Sequence, residues 1–196
     1  MAPTCVRSIG GYEGSHAPHP QRQLDASLRA LGYHVEALEL PNNAAPEYAA
    51  CLAFLLAQCQ ELAEGVLILH SLASRLFFLA VAAARQHGPW HTPLVDTAVL
   101  LAPANGRVIA DWVPAVAPFF CQDVWVPVLT GAARRLLIVA SDNDFYWEEA
   151  LTDLEAFRTQ PGVEVLLLTG QGHLNDPAVS GALPEVRDWI HAARRS

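Results

Sequence analysis

The sequence predicts an α/β domain built on a mostly parallel sheet of about six strands with helices on both faces. Two patterns support this. Short runs of branched apolar residues alternate with longer segments of helical periodicity, the signature of successive βα units. Several strands also read as continuous apolar runs rather than alternating ones, as expected where both faces of a parallel sheet are covered. A chain of 196 residues is one domain, 1–196, large enough for a substantial core.

In chain order, Cys5–Ile9 is the first strand, ended by Gly10-Gly11. Pro20 opens a helix whose Leu24, Leu28 and Leu31 share one face, and Gly32 closes it. Tyr33–Leu40 is the second strand. Pro46–Leu62 is a helix with Tyr48, Cys51, Leu52, Leu55, Leu56, Cys59 and Leu62 inward. Val66–Leu69 is the third strand, followed by a helix from Leu72 to Gln86. Leu94–Ala102, Leu136–Ala140 and Val163–Leu168 complete the sheet. Helices over Phe145–Arg158 and Leu183–Arg194 account for most of the remainder. The stretch Pro103–Arg135 breaks the rhythm with four prolines, which oppose a long helix; Val108–Val113 is its one short helical candidate. Trp112, Phe119, Phe120 and Trp125 make it a candidate substrate wall or partial lid, or else an irregular segment burying its aromatics.

Composition narrows function. Over half the residues are apolar, 16% are charged and the net charge is −8. With no basic stripe, a nucleic-acid partner is disfavoured. The twelve basic residues are all arginine, which removes lysine chemistry such as Schiff bases and the Walker P-loop. The four cysteines form no Cys-x-x-Cys. Cys51 and Cys59 lie eight apart on one helix, roughly 12 Å at helical rise, too far to bridge. They read as small buried hydrophobes of a reducing compartment. No signal peptide or membrane span is visible, so a cytoplasmic protein without membrane attachment is expected. No protein partner can be named.

The chemistry centres on Ser71. It follows the third strand and precedes a helix, so its Oγ can stand clear of the backbone over the sheet rim. The surrounding letters, Leu69-His70-Ser71-Leu72-Ala73, vary the G-x-S-x-G nucleophile elbow, with both glycines replaced. Ser71 alone could equally be a helix N-cap. Two later loops supply partners. Asp144 lies in Ser141-Asp142-Asn143-Asp144 after the fifth strand, and His173 lies in Gly170-Gln171-Gly172-His173 after the sixth. Nucleophile, acid and base then follow the order Ser, Asp, His, all at strand carboxyl ends, where open α/β sheets bind ligands. Backbone N–H groups of Leu72 and Tyr12 are the oxyanion donors, with Gly10 and Gly11 allowing close approach. Asp142 competes with Asp144 for the acid role, or shapes the turn. His70 is a packing or supporting residue. His16 and His19 read as a solvated loop rather than metal ligands, since no third ligand clusters with them.

Gly11-Tyr12-Glu13-Gly14-Ser15, His70-Ser71-Leu72, Ala140-Ser141-Asp142-Asn143-Asp144 and Gly172-His173-Leu174-Asn175 together resemble the small serine hydrolases of the retinoblastoma-binding protein nine family, in the same order along nearly the whole chain. The resemblance implies a compact α/β-hydrolase fold, a Ser71–His173–Asp144 triad, no cofactor or metal, and a small-molecule ester, thioester or amide substrate. Leu69 and Ala73 depart from the family's glycines, and His19 is followed by Pro20 where the family often has His-Trp. These departures keep open a second expectation, a catalytically impaired relative that binds a small molecule or protein through the same cleft.

Overall fold

The computed structural model describes residues 4–62, 64–87, 93–104, 113–121, 131–146 and 150–193. Six strands, β1 (Cys5–Gly10), β2 (His34–Glu39), β3 (Val66–His70), β4 (Val95–Leu101), β5 (Ala133–Ser141) and β6 (Val163–Leu168), form one sheet in the order β2-β1-β3-β4-β5-β6. Every neighbouring pair is parallel, so all six carboxyl ends lie on one rim. The register pairs Ile9 with Leu69, His70 with Leu101 and Ser141 with Leu168. The loops after β1, β3, β5 and β6 therefore leave the sheet on the same side.

Strand alternation divides the core in two. Ile9, Leu67, Leu69, Leu100 and Ile138 pack toward helices α2 (Tyr48–Leu62), α3 (Leu72–His87) and α4 (Ala150–Arg158). Val6, Val66, Ile68, Val99 and Val139 pack toward α1 (Pro20–Ala30) and α6 (Pro184–Ala193), and the four-residue α5 (Pro177–Ser180) lies between β6 and α6. Every residue of β3 is buried, the outcome expected for a strand covered on both faces. Helix α3 buries Leu76, Phe77, Phe78, Leu79, Ala80 and Val81 almost completely. Wedged between α2, a 3-10 helix (Pro114–Phe120) and the sheet, it is apolar nearly all round, as a fully enclosed helix must be. Each large side chain buried there stabilises the fold by about 1.5–3 kcal/mol.

Several sequence expectations are corrected. Leu31 caps α1 and is 46% exposed rather than inward, because the helix closes one residue earlier. Residues 145–146 form a turn instead of a helix start; the Tyr146 N–H donates to the Asp144 carboxylate, diverting the backbone from a helical hydrogen bond. Cys51 and Cys59 are buried, whereas Cys121 is exposed. Within 103–135, Val113 precedes the 3-10 helix; the rest of the Val108–Val113 candidate, with Trp112 and Trp125, lies outside the described residues. Among the described residues, no helix is long and apolar enough to cross a membrane.

Candidate active site

Ser71 occupies the turn between β3 and α3 with φ of 53°. A non-glycine residue in this left-handed region costs on the order of 1–3 kcal/mol and persists only where its surroundings dictate it. They do so here. The Ser71 N–H donates to the Leu101 carbonyl at 2.9 Å, and its own carbonyl accepts from Ala104 at 3.3 Å and Arg75 at 3.1 Å. Ser74 adds a hydroxyl bond to the Leu69 carbonyl at 2.8 Å. Leu69 has no exposed surface and packs in the α3-side core. Its side chain thus occupies the core and leaves the space at the Ser71 hydroxyl open. Ala73 is likewise enclosed.

The Ser71 Oγ lies 2.7 Å from His173 Nε2, and His173 Nδ1 lies 2.9 Å from Asp144 Oδ2 and 3.1 Å from Oδ1. Residues 71, 144 and 173 thus form one hydrogen-bonded chain. The Asp144 side chain has no solvent exposure and that of His173 only 9%, so water scarcely competes for these contacts.

The loops bearing Asp144 and His173 are stitched together. The Gly170 N–H donates to Asp142 Oδ1 at 2.8 Å, Gln171 N–H to Ser141 Oγ at 2.8 Å, and Gly172 N–H to Asn143 Oδ1 at 2.7 Å. Ser141 Oγ in turn donates to Asn143 Oδ1 at 2.8 Å. Three consecutive side chains of one loop therefore hold three consecutive amides of the other, with Gly170 and Gly172 at positive φ. Asp142 belongs to this stitch, while Asp144 faces the imidazole. The Tyr146 ring meets His173 edge-on at 4.6 Å.

Two further imidazoles line up behind His173. His70 Nε2 bonds the His173 carbonyl at 2.9 Å; a carbonyl can only accept, so His70 carries its proton on Nε2. Its ring lies 5.2 Å from that of His173 and 4.8 Å from that of His19. Burial, with His173 and His19 nearby, pushes the His70 pKa well down. His19 caps α1, its Nδ1 accepting from the Gln21 N–H at 3.2 Å. It therefore belongs to the scaffold and the cavity wall, not to a solvated loop. Burial, aided by Arg22 and His173, lowers its pKa to about 4. Between pH 6.5 and about 4 the unfolded chain binds a proton at His19 that the folded chain refuses. Stability should therefore fall as pH falls through that window and be independent of this group above it; His70 acts in the same direction. Thermal melts across the window should show the loss, and His19→Asn, which keeps a capping side chain, should reduce it.

On the other side of Ser71, the loop after β1 makes a turn closed by the Gly14 N–H to the Gly11 carbonyl at 3.0 Å, with Glu13 at φ 58°. Tyr12 is the second residue of this turn. Leu72 is the first residue of α3, so its N–H is among those a helix leaves unpaired. A Cβ at Gly11 would lie 2.9 Å from the His70 carbonyl oxygen, 3.0 Å from Ser71 Cβ and 3.1 Å from Leu72 N. The β1 loop and the Ser71 turn are thus in contact at a position that admits only glycine. On the expectation that Tyr12 and Leu72 are the oxyanion donors, Gly11→Ala should push them apart and lower kcat for ester hydrolysis about 10²–10³-fold, with a smaller change in KM; steady-state kinetics check this.

A cavity of about 420 Å³ opens over Ser71, with Tyr12, Glu13, His19, Leu72, Tyr146, His173 and Asn175 around its polar part and Ala104, Val113, Val116 and Phe120 on an apolar wall. Of the aromatics expected to line it, Phe120 does so and Phe119 does not. Adjacent residues of a 3-10 helix point about 120° apart. Phe119 turns into the core against Tyr48 at 5.5 Å, while the Phe120 ring lies under the Arg75 guanidinium at 5.4 Å. Sequence reasoning missed His19, Tyr146 and the Ser141–Asn143 stitch. The clustered Ser-Asp-Asn turn formers carry a detectable signal; the other two carry none. Among the described residues, no group of three or more His, Cys, Asp or Glu side chains is arranged to hold a metal ion.

A family model described as serine hydrolase matches residues 7–192. The chain belongs to the serine hydrolase family. It is a hydrolytic enzyme with the α/β-hydrolase fold. Among solved structures it is similar to the ydeN gene product of B. subtilis, with a TM-score of 0.79 at 19% identity over 98% of this chain and 100% of that one. It is also similar to Est1E from Butyrivibrio proteoclasticus with ferulic acid bound, with a TM-score of 0.73 at 13% identity over 100% and 91%. A monoacylglycerol lipase from Paleococcus ferrophilus superposes with a TM-score of 0.65 at 13% identity over 96% and 94%. No curated protein matches the chain by sequence. At these identities the likeness is one of fold.

Proposed function

We propose that this serine hydrolase cleaves carboxylic esters, thioesters or amides through an acyl-enzyme on Ser71, with His173 as base and Asp144 as the acid that orients it. The observation that carries the proposal is the continuous contact from Oγ through the imidazole to a buried carboxylate. Ser71 Oγ attacks the substrate carbonyl carbon while its proton passes to His173 Nε2. The Nδ1–H, held on Asp144, stabilises the resulting imidazolium. The oxyanion is received by the N–H groups of Leu72 and Tyr12, the former at the positive end of α3. As the tetrahedral adduct collapses, Nε2 returns the proton to the leaving oxygen, sulfur or nitrogen. Water, deprotonated by the same nitrogen, then hydrolyses the acyl-enzyme and restores Ser71.

The apolar wall of Val113, Val116 and Phe120 suits an apolar acyl group. Among the described lining residues Glu13 is the exposed charge and no arginine appears, which suits uncharged substrates. Est1E with its bound ferulic acid and the monoacylglycerol lipase fit the same direction, ester hydrolysis. Within the serine hydrolases, the four segments noted above support reading the chain as one of the retinoblastoma-binding protein nine type, and a cytoplasmic location accompanies that reading. The packing of Leu69 favours an active enzyme over an impaired binding protein. A fluorophosphonate probe tests the proposal: the label should map to the peptide containing Ser71, and a protein that hydrolyses esters without labelling there would retire this mechanism.

A further inference from the structure

Behind the β1 loop lies a polar cluster that the reaction does not itself use. Glu39, the last residue of β2, reaches across β1 and accepts the Ser15 N–H on Oε1 at 3.1 Å. Arg22, on α1, donates from Nε to the Ser15 carbonyl at 2.6 Å. The same guanidinium pairs with Glu39 Oε1 at 3.4 Å and with the fully buried Asp25 at 2.5 Å. Ser15 is therefore gripped at its N–H by an anion and at its carbonyl by a cation, and the two gripping groups are paired with each other. Its hydroxyl is held as well, donating to the buried Gln21 at 2.7 Å.

The glycines of this loop fit the same grip. A Cβ at Gly10 would lie 2.4 Å from Glu39 Oε2, and one at Gly14 would lie 2.7 Å from it. The bare backbone at both positions is what lets the carboxylate sit inside the loop. Glu39 Oε2 is buried against these two glycine positions. Ser15 directly follows the turn that contains Tyr12, a residue of the cavity over Ser71. Fixing Ser15 fixes one end of that turn, and the contact of Gly11 with the Ser71 turn fixes the other.

We infer that Glu39 and Arg22 are positioning residues: by clamping Ser15 they hold the Tyr12 N–H at the place where the oxyanion forms, resting on the reading of Ser71 as nucleophile. The clamp acts on the transition state rather than on substrate binding, because a donor placed for the tetrahedral oxyanion is used only when that charge develops.

The test is a set of substitutions at Glu39, which is partly exposed and easier to replace than Arg22 with its buried partner. Glu39→Asp keeps the charge but loses a methylene of reach. Glu39→Gln keeps the reach and a carbonyl acceptor. Each is assayed for hydrolysis of p-nitrophenyl acetate, for inhibition by a trifluoromethyl ketone (a mimic of the tetrahedral adduct) and for thermal stability. Glu39→Asp should lower kcat and ketone affinity together by roughly 10-fold or more, with KM within about twofold, and Glu39→Gln should recover most of both. Glu39→Ala should resemble the aspartate variant. The clamp is overturned if folded Glu39→Asp retains wild-type kcat and ketone affinity, or if the losses track thermal stability instead of reach. A wild-type protein that neither hydrolyses the ester nor labels at Ser71 would overturn the nucleophile reading, and the clamp with it. Wild-type activity that is indifferent to Glu39 would overturn the clamp alone.

Discussion

Ser71→Ala is expected to abolish fluorophosphonate labelling and to lower kcat for a simple ester by about 10⁶-fold, the scale seen when a serine nucleophile is removed from a well-characterised triad. That corresponds to about 8 kcal/mol of lost transition-state stabilisation. The fold should survive. The turn at residue 71 is held by backbone hydrogen bonds to Leu101, Ala104 and Arg75, none of which involves the hydroxyl. Alanine at φ 53° bears the same left-handed strain that serine does. Circular dichroism and melting temperature should therefore stay close to wild type while turnover collapses. Labelling that persists unchanged in the variant would remove Ser71 from the reaction.

The loss should not add to that from His173. Once the hydroxyl is gone the imidazole has no proton to accept, so Ser71→Ala with His173→Ala should be about as inactive as either variant alone. The residual rate above the uncatalysed reaction would then report what the oxyanion donors and the cavity supply without a nucleophile. Combining Ser71→Ala with Glu39→Asp separates these contributions further if the proposed clamp holds.

Much of the framework could be read from residue pattern, and the gaps have identifiable causes. β6 begins and ends where its apolar run does, at Val163 and Leu168. β5 starts three residues before its apolar run, at Ala133, since Ala133 and Arg135 pair with β4 while Arg134 and Arg135 reach outward to Asp96 and Glu164. The start of α1 was visible in Pro20, but its cap, His19, was not, because histidine is an unusual capping residue. The order Ser71, Asp144, His173 and their strand-end positions were legible because each follows a recognisable strand. The stitch from Ser141, Asp142 and Asn143 to the amides of residues 170–172 was not. It joins segments about thirty residues apart, and such contacts leave no periodicity in sequence. The division of labour between Phe119 and Phe120 was hidden for a related reason. Hydropathy cannot tell adjacent phenylalanines apart, and only the turn of the 3-10 helix sends one to the core and the other to the cavity.

The acid assignment rests on which of two neighbouring aspartates faces the imidazole, and a pair of isosteric substitutions separates them with a large expected difference. Asp144→Asn should lower kcat about 10⁴-fold. The amide at 144 can donate to His173 Nδ1, which favours the tautomer with its proton on Nε2, and an Nε2–H cannot accept the Ser71 proton. The side chain at 144 is fully buried. Replacing a carboxylate there by a neutral amide removes a desolvation cost, while the Tyr146 N–H can still be accepted by the retained carbonyl oxygen. Melting temperature should therefore hold or rise as activity falls, a combination that unfolding cannot produce. Asp142→Asn should behave oppositely. Its role is to accept the Gly170 N–H through Oδ1, and asparagine retains that oxygen, so kcat should change by no more than a few-fold and any effect should appear in stability. If the collapse instead followed Asp142, the two carboxylates would have to exchange roles. Steady-state kinetics with parallel melts of the two variants distinguish the outcomes. The two aspartates on either side of Asn143 thus face different partners, Asp142 the Gly170 amide of the facing loop and Asp144 the imidazole that loop delivers.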